Sequence, residues 1–100
     1  MNPKRNRQRG KEAEREIARI MGGKRIGTMC GEDVEHPIFS IEVKSRQRFA
    51  PLAWLKQARG HCPPNKTPLV IIHERGKQYI NSVVLIDLAD WIDLHGGGNG

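Results

Sequence analysis

The chain has 100 residues, of which 37% are hydrophobic and 28% charged, and 17 Lys and Arg against 11 Asp and Glu give a net charge of +6. A chain of this length makes one domain that buries about 60 to 65% of its unfolded surface. Its Ile, Val and Leu content supplies one modest core and argues against wholesale disorder. No apolar run nears the roughly 20 residues that span a bilayer, and no apolar segment follows the basic N-terminus as in a signal peptide, so membrane and secreted readings are set aside. Cys30 and Cys62 are the only cysteines, and without a secretory signal they read as reduced thiols in a cytoplasmic protein.

The positive charge is placed unevenly. Lys4, Arg5, Arg7, Arg9 and Lys11 precede the first acid, Glu12, so residues 1–10 read as a flexible basic arm for a polyanion, nucleic acid first. A solubilising tail is the alternative. Residues 11–95 then form the folded domain and 96–100 a Gly-rich tail that frays. Ala13, Ile17, Ile20 and Met21 follow helical spacing, and Gly22-Gly23 supplies a stop, which predicts a helix over 10–21. Short strands are expected over 24–29 and 33–35. The pattern I-F-S-I-E-V-K over 38–44 predicts a strand with Phe39, Ile41 and Val43 on one face and Ile38, Ser40, Glu42 and Lys44 on the other. Pro51 suits the first turn of a helix over 51–59, with Gly60 to end it. Residues 61–65 read as a loop, 68–73 and 79–86 as paired strands around a turn at Gly76, and 87–94 as a short helix capped by Asp87. This order predicts a single α/β domain with a small mixed sheet flanked by helices. Neither G-x-G-x-x-G nor a P-loop is present, which sets aside a doubly wound nucleotide fold.

The most informative feature is Asp33, followed nine residues later by Glu42-Val43-Lys44. Strand alternation points Glu42 and Lys44 from the same face. Two carboxylates beside an ammonium suit a hard divalent cation: Mg²⁺ prefers oxygen ligands, keeps several waters and needs only one or two carboxylates plus a substrate phosphate. Such an ion activates water and neutralises phosphodiester charge, while Lys44 orients the nucleophile or stabilises the pentavalent state. The plain alternative is a same-face ion pair at a strand end, with Asp33 in a turn.

The segments R-G-K-E-A-E-R-E-I, K-R-I-G-T-M-C-G-E-D and S-I-E-V-K resemble the PD-(D/E)XK nuclease superfamily, and within it the archaeal Holliday junction resolvases and small phage nucleases of similar type. The resemblance runs from Arg9 to Lys44, and the element order lets it extend to Ile86. It implies a restriction-endonuclease-like fold and makes 11–95 the nuclease domain. Residue by residue, it implies Glu14 as the acid of the first helix, Asp33 as the metal aspartate, Glu42 and Lys44 as the E-x-K pair, and Arg25 as a basic position near DNA. The sequence departs from the pattern in having Glu32 rather than proline before the aspartate and a short connection from Asp33 to Glu42. Glu32 is thereby the alternative to Asp33. Glu14 shares a helical stripe with Ile17, Ala18 and Met21 and lies at the edge of a buried face, where an acid is costly without a partner. Pairing with Arg15, Arg19 or solvent is the bland alternative for it.

Gln57 is similar to a glutamine often found near this superfamily's site and can hydrogen-bond the nucleophilic water or a phosphate; a solvent-facing helix residue is its alternative. Arg46 and Arg48, in phase with Lys44, can clamp phosphates. Zinc ligation by Cys30, His36, His61, Cys62 and His73 is disfavoured, because no C-x₂-C or H-x₃-H pair occurs. Asp87, Asp90 and Asp93 are explained by helix capping, and Trp54 and Trp91 by packing. The expectation is a DNA endonuclease using Mg²⁺, with Mn²⁺ able to substitute, and selective for branched DNA such as Holliday junctions. It needs no small-molecule cofactor and works as a homodimer through the apolar run from Val83 to Leu94. A nicking or duplex nuclease without junction preference, or an inactive DNA-binding module of the same fold, are the alternatives.

Overall fold

A computed structural model describes residues 3–26, 32–44 and 49–96, with side chains from Gly10 onward. The elements are, in order, α1 (Pro3–Met21), β1 (Lys24–Arg25), β2 (Val34–Glu35), β3 (Phe39–Lys44), α2 (Pro51–His61), β4 (Thr67–Ile72), a 3-10 turn (Tyr79–Asn81), β5 (Val83–Leu85) and α3 (Leu88–His95). The five strands make one mixed sheet in sequence order. The β1–β2, β2–β3 and β4–β5 pairs are antiparallel, and β3 and β4 run parallel, Glu42 opposite Val70 and Lys44 opposite Ile72. Parallel neighbours need a long crossover, and α2 supplies it. The chain is thus a small single-domain α/β fold with a mixed sheet flanked by helices. None of its described helices is long and apolar enough to cross a membrane.

The alternation of β3 divides the core. Phe39, Ile41 and Val43 face α1, where they pack with Ile17, Ala18, Val34, Leu69 and Ile71. A second cluster joins Trp54, Leu55 and Ala58 of α2 to Val70. Ser40 and Glu42 belong to the remaining, polar row of β3, and both are buried.

Several expected boundaries move. The first helix starts at Pro3 rather than at residue 10, so the backbone of the segment read as a basic arm is helical; Pro at the start and the helix-tolerant Arg, Lys and Gln that follow favour this. The side chains of Lys4, Arg5, Arg7 and Arg9 lie outside the described set. Gly22 at φ +73° ends α1 in the left-handed conformation that glycine adopts freely. At Gly23 a Cβ would run into the Glu35 carbonyl, so the chain can enter β1 there only without a side chain. Gly60 does not end α2. The helix continues to His61, and Cys62 turns extended because Pro63 disfavours helical geometry in the residue before it. Tyr79 to Asn81 forms the 3-10 turn rather than strand, with Tyr79 stacked on His73 at 4.0 Å between ring centres. Asp87 holds the cap position of α3 without a side-chain capping bond. Its carboxylate instead accepts from Arg59 Nε at 2.8 Å, tying α3 to α2.

Candidate active site

Asp33 enters the site from the lead-in to β2. Its N–H donates to Ile41 O at 3.0 Å, its carbonyl accepts from Ile26 N at 3.0 Å, and its Oδ2 accepts from Val43 N at 2.9 Å. The side chain thereby completes the backbone pairing of β3, and one carboxylate oxygen is fixed beside Glu42 and Lys44. With Val34 opposite Ile41, one further antiparallel step sets Asp33 across from Glu42, on the same face.

Glu42 is only 3% exposed. The contacts it makes come from α2. Four residues of helix advance about 6 Å and two residues of strand about 6.7 Å, so Gln57 and His61 on α2 stand over Lys44 and Glu42 on β3. Lys44 Nζ donates to Gln57 Oε1 at 2.9 Å, and His61 Nδ1 lies 2.9 Å from Glu42 Oε1. When Glu42 is ionised it can only accept, and Nδ1 is then the donor of this bond.

Glu14 approaches from α1. Its Oε1 accepts from Arg25 Nε at 2.9 Å, so its partner is Arg25 of β1, while Arg19 pairs with Glu16. Burial pushes the Glu14 carboxyl up and the Asp33 charge adds to that, against the opposing pull of Arg25 and Lys11. Burial likewise pushes Glu42 up; Asp33 adds to it, and His61 and Lys44 oppose it. Asp33 is therefore the charge felt by both glutamates and links the α1 side of the site to the α2 side. Glu14, Arg25, Asp33, Glu42, Lys44 and Gln57 are brought together in this way. Lys11 is exposed on α1, and Arg46 and Arg48 lie outside the described residues, as does Cys30. Cys62 is a free thiol, its Sγ donating to the Lys66 carbonyl at 3.2 Å. Glu32 is buried, with Oε2 unpaired in the structure.

His61 is a site residue that sequence reasoning misses, because linear spacing offers it only as a disfavoured zinc ligand. The signal was the one-turn spacing of Gln57 and His61 against the two-residue spacing of Glu42 and Lys44.

Among the described residues, no three His, Cys, Asp or Glu side chains converge to metal-ligating distance. What is present is a buried, ionisable Glu42 with Asp33 near it, a local excess of negative charge in a poorly hydrated place. An ion such as Mg²⁺ needs one or two carboxylates and fills the rest of its shell with water and phosphate oxygen.

The raised carboxyls have a stability consequence. An acid whose folded pKa exceeds its unfolded one costs nothing below the ordinary carboxylate value. It becomes a penalty as pH rises past that value, and the penalty is complete above the raised one. Glu42→Gln keeps the shape and an acceptor for His61 and removes the buried charge. It raises the melting temperature at pH 7, and the difference shrinks towards zero near pH 4. Thermal scans at the two pH values check this, and a lower melting temperature at pH 7 would count against a strained carboxylate.

No protein-family model, curated protein or solved structure matches this chain.

Proposed function

We propose that the protein is a divalent-metal-dependent DNA endonuclease of restriction-endonuclease-like fold, acting on branched DNA. The observation that carries this reading is the placement of the Glu42 carboxylate and the Lys44 ammonium on one row of β3 beside Asp33, the row over which α2 sets Gln57 and His61. Asp33 and Glu42 hold the ion, with Glu14 beside them. When bound, it supplies an activated water and positive charge for the phosphodiester. Lys44, held by Gln57, presents its ammonium to the attacking water or to charge building on the phosphate. Arg25, anchored on Glu14, stands at the same side for a neighbouring phosphate. The test is cleavage of matched linear, flapped and four-way DNA with Mg²⁺ and with chelator. Cutting of the four-way substrate that chelator abolishes supports the reading. Equal cutting of linear DNA moves it to a duplex nuclease, and binding without cutting to an inactive DNA-binding module.

The basic start of α1 contributes non-specific affinity in this reading. Replacing Lys4, Arg5, Arg7 and Arg9 together by Gln removes four charges and keeps good helix formers. Binding to all DNA substrates weakens alike, and the log–log salt slope falls by up to about 3 to 4. A titration series across salt concentrations measures it; an unchanged slope means that these residues do not touch phosphate.

The working form we propose is a two-fold dimer, which supplies two sites in fixed relation for two symmetric cuts. Val83 and Val84 on edge strand β5 are 61% and 52% exposed, and Leu88 and Trp91 on α3 are 72% and 49% exposed, so the monomer's own core does not consume this run. Val84→Lys shifts sedimentation equilibrium to monomer and converts paired cuts to nicks. A wild-type monomer that still makes paired symmetric cuts would exclude the dimer.

A further inference from the structure

The turn that follows β4 stands beside Lys44, and the endonuclease reading gives it no part. His73 continues β4 past its last strand residue, its N–H donating to Lys44 O at 2.9 Å. The chain therefore leaves the sheet level with the end of the row that carries Glu42 and Lys44. Lys77 N–H then donates to Glu74 O at 3.1 Å and closes a turn over 74–77. We infer that this turn is a phosphate clamp, in which Arg75 and Lys77, set in place by His73, hold the DNA backbone next to the phosphate at Lys44. The inference rests on the endonuclease reading above and adds a contact with its substrate.

The turn is fastened at both ends. His73 is 9% exposed, and its Nε2 lies 2.8 Å from Lys77 O; a carbonyl only accepts, so Nε2 is the donor. The ring of His73 stacks on Tyr79 at 4.0 Å. Burial pushes the Tyr79 hydroxyl up and the charges of Glu12 and Glu16 add to it, which seats the far end of the turn against α1. Arg75 and Lys77 are nevertheless exposed. Among the described residues neither makes an ion pair, whereas Arg19, Arg25 and Arg59 are each taken by a carboxylate. Two uncommitted cations thus stand against one acid of the turn, Glu74. Neighbouring strands lie about 4.8 Å apart, and two residues beyond His73 add at most about 6.7 Å. Successive phosphates of one strand advance about 3.4 Å along a duplex axis, so those flanking the phosphate at Lys44 fall within reach of both side chains.

A structural account of the same turn is a hairpin closed by His73 and Tyr79 whose charges face water. Salt-dependent DNA binding separates the two. The full chain is titrated with four-way DNA in chelator, so that no strand is cut, across a salt series. Arg75→Gln with Lys77→Gln is compared with Lys24→Gln with Lys66→Gln, which removes the same charge at the opposite end of the sheet, where Lys24 pairs with Glu35 and Thr67 with Phe39. The log–log slope falls by about 1 to 2 in the first pair and is unchanged in the second, and Arg75→Lys keeps it. A scan of neutral methylphosphonates along the strand, with the cut mapped in Mg²⁺, places the contact: replacement one or two phosphates from the cut weakens wild-type binding and leaves the Arg75, Lys77 pair variant unaffected. His73→Phe keeps a ring for Tyr79 and loses the bond to Lys77 O, so it weakens binding, and adding the Gln pair to it then costs less than in the wild type. An unchanged slope in the first pair, or equal falls in both pairs, overturns the clamp and leaves the endonuclease reading standing. Wild-type binding by His73→Phe overturns its positioning role. Failure of the wild-type chain to bind DNA overturns both clamp and reading.

Discussion

For the endonuclease we propose, Asp33→Asn and Glu42→Gln are each expected to lower DNA cleavage by a factor on the order of 10³ or more, with DNA binding nearly unchanged. Each replacement keeps the size and an oxygen acceptor and removes one negative charge from the carboxylate pair to which the proposed reading assigns the ion. Asp33→Asn can keep its bond from Val43 N–H through the amide oxygen, so the local backbone pairing survives. Glu42→Gln can keep its partner His61 in the same way. Single-turnover cleavage and binding isotherms, measured side by side, give the two quantities. Wild-type cleavage by either variant would remove that residue from the metal site. Glu42→Gln carries a second signature, because the inactive variant is also the one expected to melt higher at neutral pH: the charge that chemistry needs is the charge that burial penalises.

The parts of this fold that are legible in the sequence are those where one residue has one dominant physical reason to be where it is. The alternation of Phe39, Ile41 and Val43 with Ser40, Glu42 and Lys44 determines which face of β3 is apolar, and the packing on α1 follows it. Pro51 marks the start of α2. Boundaries set by competition are harder to read. Gly60 carries a helix-stopping signal, but the stop falls at Cys62, because Pro63 constrains its backbone more strongly than glycine frees its own. Asp87 is a good capping residue by type, yet the bidentate guanidinium of Arg59 takes its carboxylate. The resemblance sets Arg25 near DNA, and local spacing offers Glu14 the partners Arg15 or Arg19. That Glu14 and Arg25 hold each other depends on β1 lying against α1, a contact between residues eleven apart that neither local pattern contains.

His61 shows the same limit within the site. In a linear reading it is one of four histidines, two residues ahead of the Pro63-Pro64 pair, in what reads as a loop. Its significance appears only when the crossover helix is laid over β3. The near match of one helical turn to two strand residues then sets it on Glu42 and Gln57 on Lys44. A chain that placed the glutamine alone would hold the lysine and leave the buried carboxylate without a partner, at a cost in desolvation.

On the proposed reading, Lys44→Met is expected to lower turnover on the order of 10² to 10³-fold, with a much smaller change in metal affinity. Methionine keeps the length of the stem and removes the ammonium, so the loss reports on charge. Lys44 Nζ is held by Gln57 Oε1 at 2.9 Å, and an amide oxygen takes only one of the three ammonium donors. The others remain for water or phosphate. Gln57→Ala, which leaves the ammonium in place and removes the group that fixes it, therefore costs less than Lys44→Met. The combined variant is no worse than Lys44→Met alone, because an anchor has no effect once its charge is gone. Lys44 also pulls the Glu42 carboxyl down, so Lys44→Met moves that carboxyl further up, and the pH at which metal binding sets in moves up with it. Single-turnover rates for the three variants and Mn²⁺ titrations across pH measure both effects. Loss of metal binding equal to the loss of turnover would place Lys44 in support of the carboxylates, whereas loss of turnover with the metal still bound places its charge at the reacting phosphate.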